Sequence, residues 1–121
     1  MAEFLPTYKP GQALTLTASA SVTGGKLVAV SGPNTVATAG SASTAVIGVA
    51  GFDAVLNDKV TVYAGGVVEV TASGAVTAGS PVIAGAAGSV VASALPPAGQ
   101  QVGIALTTAA DAALVRVQLG R

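Results

Sequence analysis

At 121 residues the chain has room for one domain around one hydrophobic core. It carries two Phe, two Tyr, no Trp and only 8% charged residues, against roughly 25% in an ordinary globular domain. Five basic and five acidic residues cancel and Cys and His are absent, which excludes disulfides, thiolate and imidazole chemistry and argues against a phosphate-binding surface.

The first twelve residues stand apart. They hold Phe4 and Tyr8, two of the four aromatics, and two of the six prolines, Pro6 and Pro10. Proline restricts the backbone, so 1–12 reads as an extended arm ahead of a body at 13–121. Glu3 sits where a secretion signal requires a base, and no segment approaches the ~20 apolar residues of a membrane span. The expectation is a soluble protein made in the cytoplasm, with no membrane or nucleic-acid partner.

From residue 13 onward the pattern is strand after strand. Ala13 to Ala18 reads A-L-T-L-T-A, an alternation that buries one face. Shorter candidates follow at 26–31, 34–39 and 46–50, divided by Gly24-Gly25 and Gly32-Pro33-Asn34. Residues 51–57 fit either a helical turn or a loop. Lys59 to Ala64 and Val67 to Ala72 alternate again, and Gly65-Gly66 between them suits a two-residue hairpin. Candidates at 81–84, 89–93 and 102–107 come next, divided by Ala87-Gly88 and Pro96-Pro97. A second helix-or-loop stretch occupies 107–113, with Thr108 or Asp111 as its cap. Leu114 to Leu119 closes the series. About ten short strands at this spacing indicate an all-β barrel or sandwich.

The strands repeat. Thr17, Ala18, Ser19, Val22, Thr23 and Gly25 recur as Thr71, Ala72, Ser73, Val76, Thr77 and Gly79. A residue inserted near Ser80 then matches Leu27-Val28-Ala29 to Val82-Ile83-Ala84 and Val36 to Val91. Gly48-Val49-Ala50 falls on Gly103-Ile104-Ala105, and Val60 and Val62 on Val115 and Val117. The reading is a pseudo-twofold pair, 14–66 and 68–121, packed face to face so that each supplies half of a core.

Reactive chemistry is sparse. The five carboxylates, Glu3, Asp53, Asp58, Glu69 and Asp111, are scattered. Asp53 and Asp58 are the one pair close enough to evoke a glycosidase, and they read better as solvated loop acids. No calcium loop, Walker lysine or G-x-G-x-x-G fingerprint is present. Asp58-Lys59-Val60 resembles the modified-lysine hairpin of lipoyl carrier domains, but Lys59 opens a strand where that family places it at a turn tip. The expectation is no catalytic residue, no metal and no cofactor.

Ile47-Gly48-Val49-Ala50 with Lys59-Val60-Thr61-Val62, and Val102-Gly103-Ile104-Ala105 with Val115-Arg116-Val117, behind an extended arm, resemble the head decoration proteins of tailed phages. Both the lambda-type family and the short Gly- and Ala-rich decoration proteins of actinobacterial phages are similar. The paired G-x-A elements depart from the lambda type, in which one half matches. The resemblance implies a structural protein on the outer surface of an expanded head, bridging capsomers as a homotrimer with the major capsid protein as partner. The arm residues Phe4, Leu5, Pro6 and Tyr8 are then the candidate capsid contacts. A tail-tube or fibre component and a small β carrier or binding module are the alternatives.

Overall fold

In a computed structural model, residues 13–120 are described. They form ten strands: β1 Leu14–Ala18, β2 Leu27–Gly32, β3 Thr35–Thr38, β4 Val46–Ala50, β5 Lys59–Tyr63, β6 Val67–Thr71, β7 Pro81–Ala84, β8 Val90–Ala92, β9 Gln101–Ala105 and β10 Leu114–Leu119. A single 3-10 turn, Ala86–Gly88, interrupts them between β7 and β8. The all-β reading holds, and each strand lies where the alternation placed one. Residues 51–57 and 107–113 are loops, each pinned by an isolated bridge, Val22 with Ala54 and Val76 with Ala109.

β1 to β5 close a barrel in the order β1-β3-β2-β4-β5, and β6 to β10 form a sheet in the order β6-β10-β9-β7-β8. The two orders are the same order. β1 pairs β5 antiparallel as β6 pairs β10, and β2 lies between β3 and β4 as β7 lies between β8 and β9. The internal repeat is therefore present in the strand pairing as well as in the sequence.

Its register differs from the expectation at one point. Val28 pairs Gly48 and Thr38, while Val82 pairs Gly103 and Ala92, so Val28 answers to Val82 and Val36 to Val90. The extra residue sits between β8 and β9, not near Ser80. A one-residue slip would turn each side chain of a strand to the opposite face. Buried Val28 and Val36 against buried Val82 and Val90 fix the correct register.

The core also differs from the half-and-half expectation. One apolar cluster consists of Ala18, Val22, Val28, Val36, Ala50, Ala54, Val60 and Val62, all from the first unit. Their counterparts, Ala72, Val76, Val82, Val90, Ala105, Ala109, Val115 and Val117, lie together in a second cluster. Each unit thus fills its own interior with the same eight small side chains. The second cluster additionally takes in Leu27, Ala39, Val46 and Val49 from the outer wall of the first unit. The reason is visible at the seam. In the first unit β1 and β3 pair in parallel through Thr17 with Thr35 and Ala18 with Val36. In the second, a lone bridge, Ala72 with Val90, joins the matching edges. Gly88, counterpart of Asn34, turns away and donates its N–H to Ala39 O at 3.0 Å. Lys26 Nζ reaches Thr71 Oγ1 at 3.4 Å on the other side. The wall of unit one covers the opening in unit two.

The hairpin expected at Gly65-Gly66 is not formed. β5 pairs β1 and β4, so both its edges are taken, and β6 pairs β10 instead. The glycine pair is the link between the units, with Gly66 at φ +78° and its carbonyl accepting the Leu119 N–H at 2.9 Å.

Candidate functional site

The arm contacts Phe4, Leu5, Pro6 and Tyr8 fall outside the described residues. The core of the body is built of Ala, Val and one Leu, and both described aromatics lie at the surface. Phe52 and Tyr63 are each 49% exposed. Tyr63 projects from β5 across Gly51, where an added Cβ would stand 2.8 Å from Tyr63 Cε2. Phe52 follows directly, its own backbone against Gly24, where a Cβ would stand 2.9 Å from Phe52 Cα. Glycine at 24 and 51 lets the loop and the ring lie this close.

The loop after β4 is tied down by its backbone. Gly51 N–H donates to Thr61 O at 2.7 Å, Ala54 N–H to Val22 O at 3.1 Å, and Asn57 N–H to Ala18 O at 2.8 Å. The loop after β9 repeats these bonds: Leu106 to Arg116 O at 2.7 Å, Ala109 to Val76 O at 2.8 Å, and Ala112 to Ala72 O at 2.9 Å. The Gly24 N–H donates to Asp53 Oδ1 at 2.8 Å, and the equivalent Ala78 N–H donates to Thr108 Oγ1 at 3.1 Å. Thr108 and Asp111 cap no helix, since none forms at 107–113, and their side chains accept from the amides of neighbouring loops instead. Asp111 Oδ1 accepts from the Gly74 N–H at 2.7 Å.

With Asp53 engaged by a backbone amide, the Asp53 and Asp58 pair borders an open depression beside Ser21 and Thr23. Lys59 lies in β5 and donates from Nζ to Thr17 Oγ1 at 2.9 Å. It holds no turn tip, so the carrier-type resemblance has no structural counterpart. Among the described residues, no three metal-ligating side chains gather, and no helix is long and apolar enough to cross a membrane.

Phe52, Val55 and Leu56 stand exposed on one loop and did not stand out by alternation or motif. A signal was available: three large apolar residues in a chain poor in them, at positions where the second unit has Thr107, Ala110 and Asp111.

A closed barrel and an open sheet of the same strand order, sharing an apolar seam and with Asp53 and Asp111 bound to backbone amides, make a body suited to a structural part. The chain matches the phage cement protein family over residues 8–119 and belongs to that family. It is accordingly a structural protein associated with the phage head. Among solved structures, the fold is shared with the crystal structure of the head fibre gp8.5 N base in bacteriophage phi29. The TM-score is 0.73 at 22% identity, over 90% of this chain and 93% of that one. At that identity the likeness is one of fold. No curated protein sequence matches the chain.

Proposed function

We propose that this protein coats the outer surface of the expanded phage head and holds neighbouring shell subunits together, as a trimer in contact with the major capsid protein. The family match over residues 8–119 carries this reading. The physical argument is mechanical. Packaged DNA presses on a thin shell, and each coating subunit adds buried area across a joint between shell subunits. A nearly uncharged surface rich in Ala, Thr and Gly suits lasting contact with other proteins. In this reading the arm, through Phe4, Leu5, Pro6 and Tyr8, anchors the body by adding a strand to the shell.

The test is coating of purified expanded heads, followed by co-sedimentation and electron microscopy. The intact protein should decorate heads and raise the temperature at which they release DNA. A chain lacking residues 1–10 should stay folded and fail to coat. Coating that survives the truncation would remove the arm from the account. Light scattering of the free protein tests the trimer. The fold shared with a head fibre base favours a second reading, in which the body seats a fibre on the head. Micrographs separate an even coat from isolated projections.

A further inference from the structure

The two units of this chain act as controls for each other. Their post-strand loops, 51–57 and 106–112, carry the same backbone bonds to the same partners, so one loop fold is written twice. The side chains they present differ. The first loop exposes Phe52 (49%), Val55 (60%) and Leu56 (57%), with Tyr63 alongside across Gly51. The second has Thr107, Ala110 and Asp111 at those positions, with Leu106 (46% exposed) in place of Gly51, and Gln118 takes the place of Tyr63. The loop fold has no need of the large apolar residues, because the second unit builds it without them. The other exposed large apolar residues, among them Leu95 at 90% and Leu106 at 46%, are aliphatic, and both described aromatics belong to the first unit. Ile104 and Leu114 of the second unit lie across from Gln118 and Thr71, beside the paired Glu69 and Arg116.

We propose that Phe52, Val55, Leu56 and Tyr63 form the surface by which the body, as distinct from the arm, seats on the shell protein of the head. This rests on the coating function above. Half-exposed aromatics on a fixed backbone are low-entropy anchors and dominate protein interfaces out of proportion to their area. The occupant is a foreign protein surface and not a second copy. The loop carries exposed Asp53 and Asp58 on either side of Val55 and Leu56, and a second copy offers them little positive charge, since among the described bases Lys26 reaches Thr71, Lys59 reaches Thr17 and Arg116 lies opposite Glu69. A shell surface with an apolar depression rimmed by Lys or Arg meets both features. Because the second unit's loop exposes one large aliphatic residue, Leu106, and no aromatic, the molecule has one strongly adhesive end and one orientation on the shell.

The repeat also supplies the variant. Phe52→Thr, Val55→Ala and Leu56→Asp together copy the second unit's loop, in which Asp111 accepts the Gly74 N–H. This triple variant should melt within a few degrees of the parent and keep its mass by light scattering. Its affinity for expanded heads should fall at least about tenfold, the scale of losing interface anchors. Ile104→Thr with Leu114→Thr, on the second unit, should leave coating unchanged. Full coating by the folded triple variant would overturn the proposal while leaving the coating function standing. So would an equal loss in the Ile104 and Leu114 variant, or a triple variant that changes oligomeric mass but still coats. An intact protein that never binds heads would overturn both.

Discussion

Gly48 and Gly103 show how much one missing methyl group can decide. A Cβ on Gly48 would run into the Tyr63 carbonyl oxygen, and one on Gly103 into the Gln118 carbonyl oxygen, on the adjacent strand in both units. Neither residue is at positive φ, so close packing and not backbone freedom demands glycine. Gly48→Ala or Gly103→Ala should cost about 1–3 kcal/mol through forced backbone shifts, read as a lower urea midpoint. Ala112 presents the opposite case. It holds φ +66° where its counterpart Asn57 holds +71°. An L-residue with a Cβ is disfavoured there, and Asn tolerates it better. Ala112→Asn should gain about 0.5 kcal/mol, a rise of roughly 2 °C in melting temperature. The Gly-Val-Ala and Gly-Ile-Ala elements were readable in the sequence as a repeated pattern. The carbonyl that forbids a side chain at their centre was not, because it belongs to a strand distant in sequence.

Strand alternation made the elements legible, and their partners were legible only in part. Period two names a strand and its buried face but not its neighbour, which is why Gly65-Gly66 suggested a hairpin where the structure has a link between units. The misplaced inserted residue has a related cause. In a chain of Ala, Val and Thr, a shift of one still matches apolar to apolar, and burial alone rejects it. Gly88 tests the seam between elements. A Cβ there would stand 2.9 Å from Lys26 Cβ and 3.0 Å from Leu27 O, whereas its counterpart Asn34 sits at an exposed hairpin tip. Gly88→Asn suits the positive φ and should nonetheless destabilise the protein by about 1–3 kcal/mol, by parting the units. Asn34→Gly should change stability by less than about 0.5 kcal/mol. Equal effects from the two would remove the close approach at Gly88 as the cause.

For the whole molecule, the two units are alike in interior and unlike in what they present. Leu27 is fully buried in the cluster that fills the second unit, although it belongs to β2 of the first. Leu27→Ala should cost about 2–5 kcal/mol, and amide exchange should quicken in β6 and β8 as well as in β2. Faster exchange confined to β2 would show that the units do not depend on each other. The fold class and the duplication followed from the sequence because many weak local signals agreed. The exposed loop at Phe52 did not, since its meaning comes from comparison with 106–112 under the correct register.

The closure of the first unit and the opening of the second set an order in time. Synthesis delivers the first unit before the second, and that unit zips its own edges through β1 and β3 without outside help. The later half emerges with a gap, and the surface that covers it is already standing. A rearranged gene that put the gapped half first would leave bare strand edges waiting on the ribosome, where unpaired edges invite aggregation.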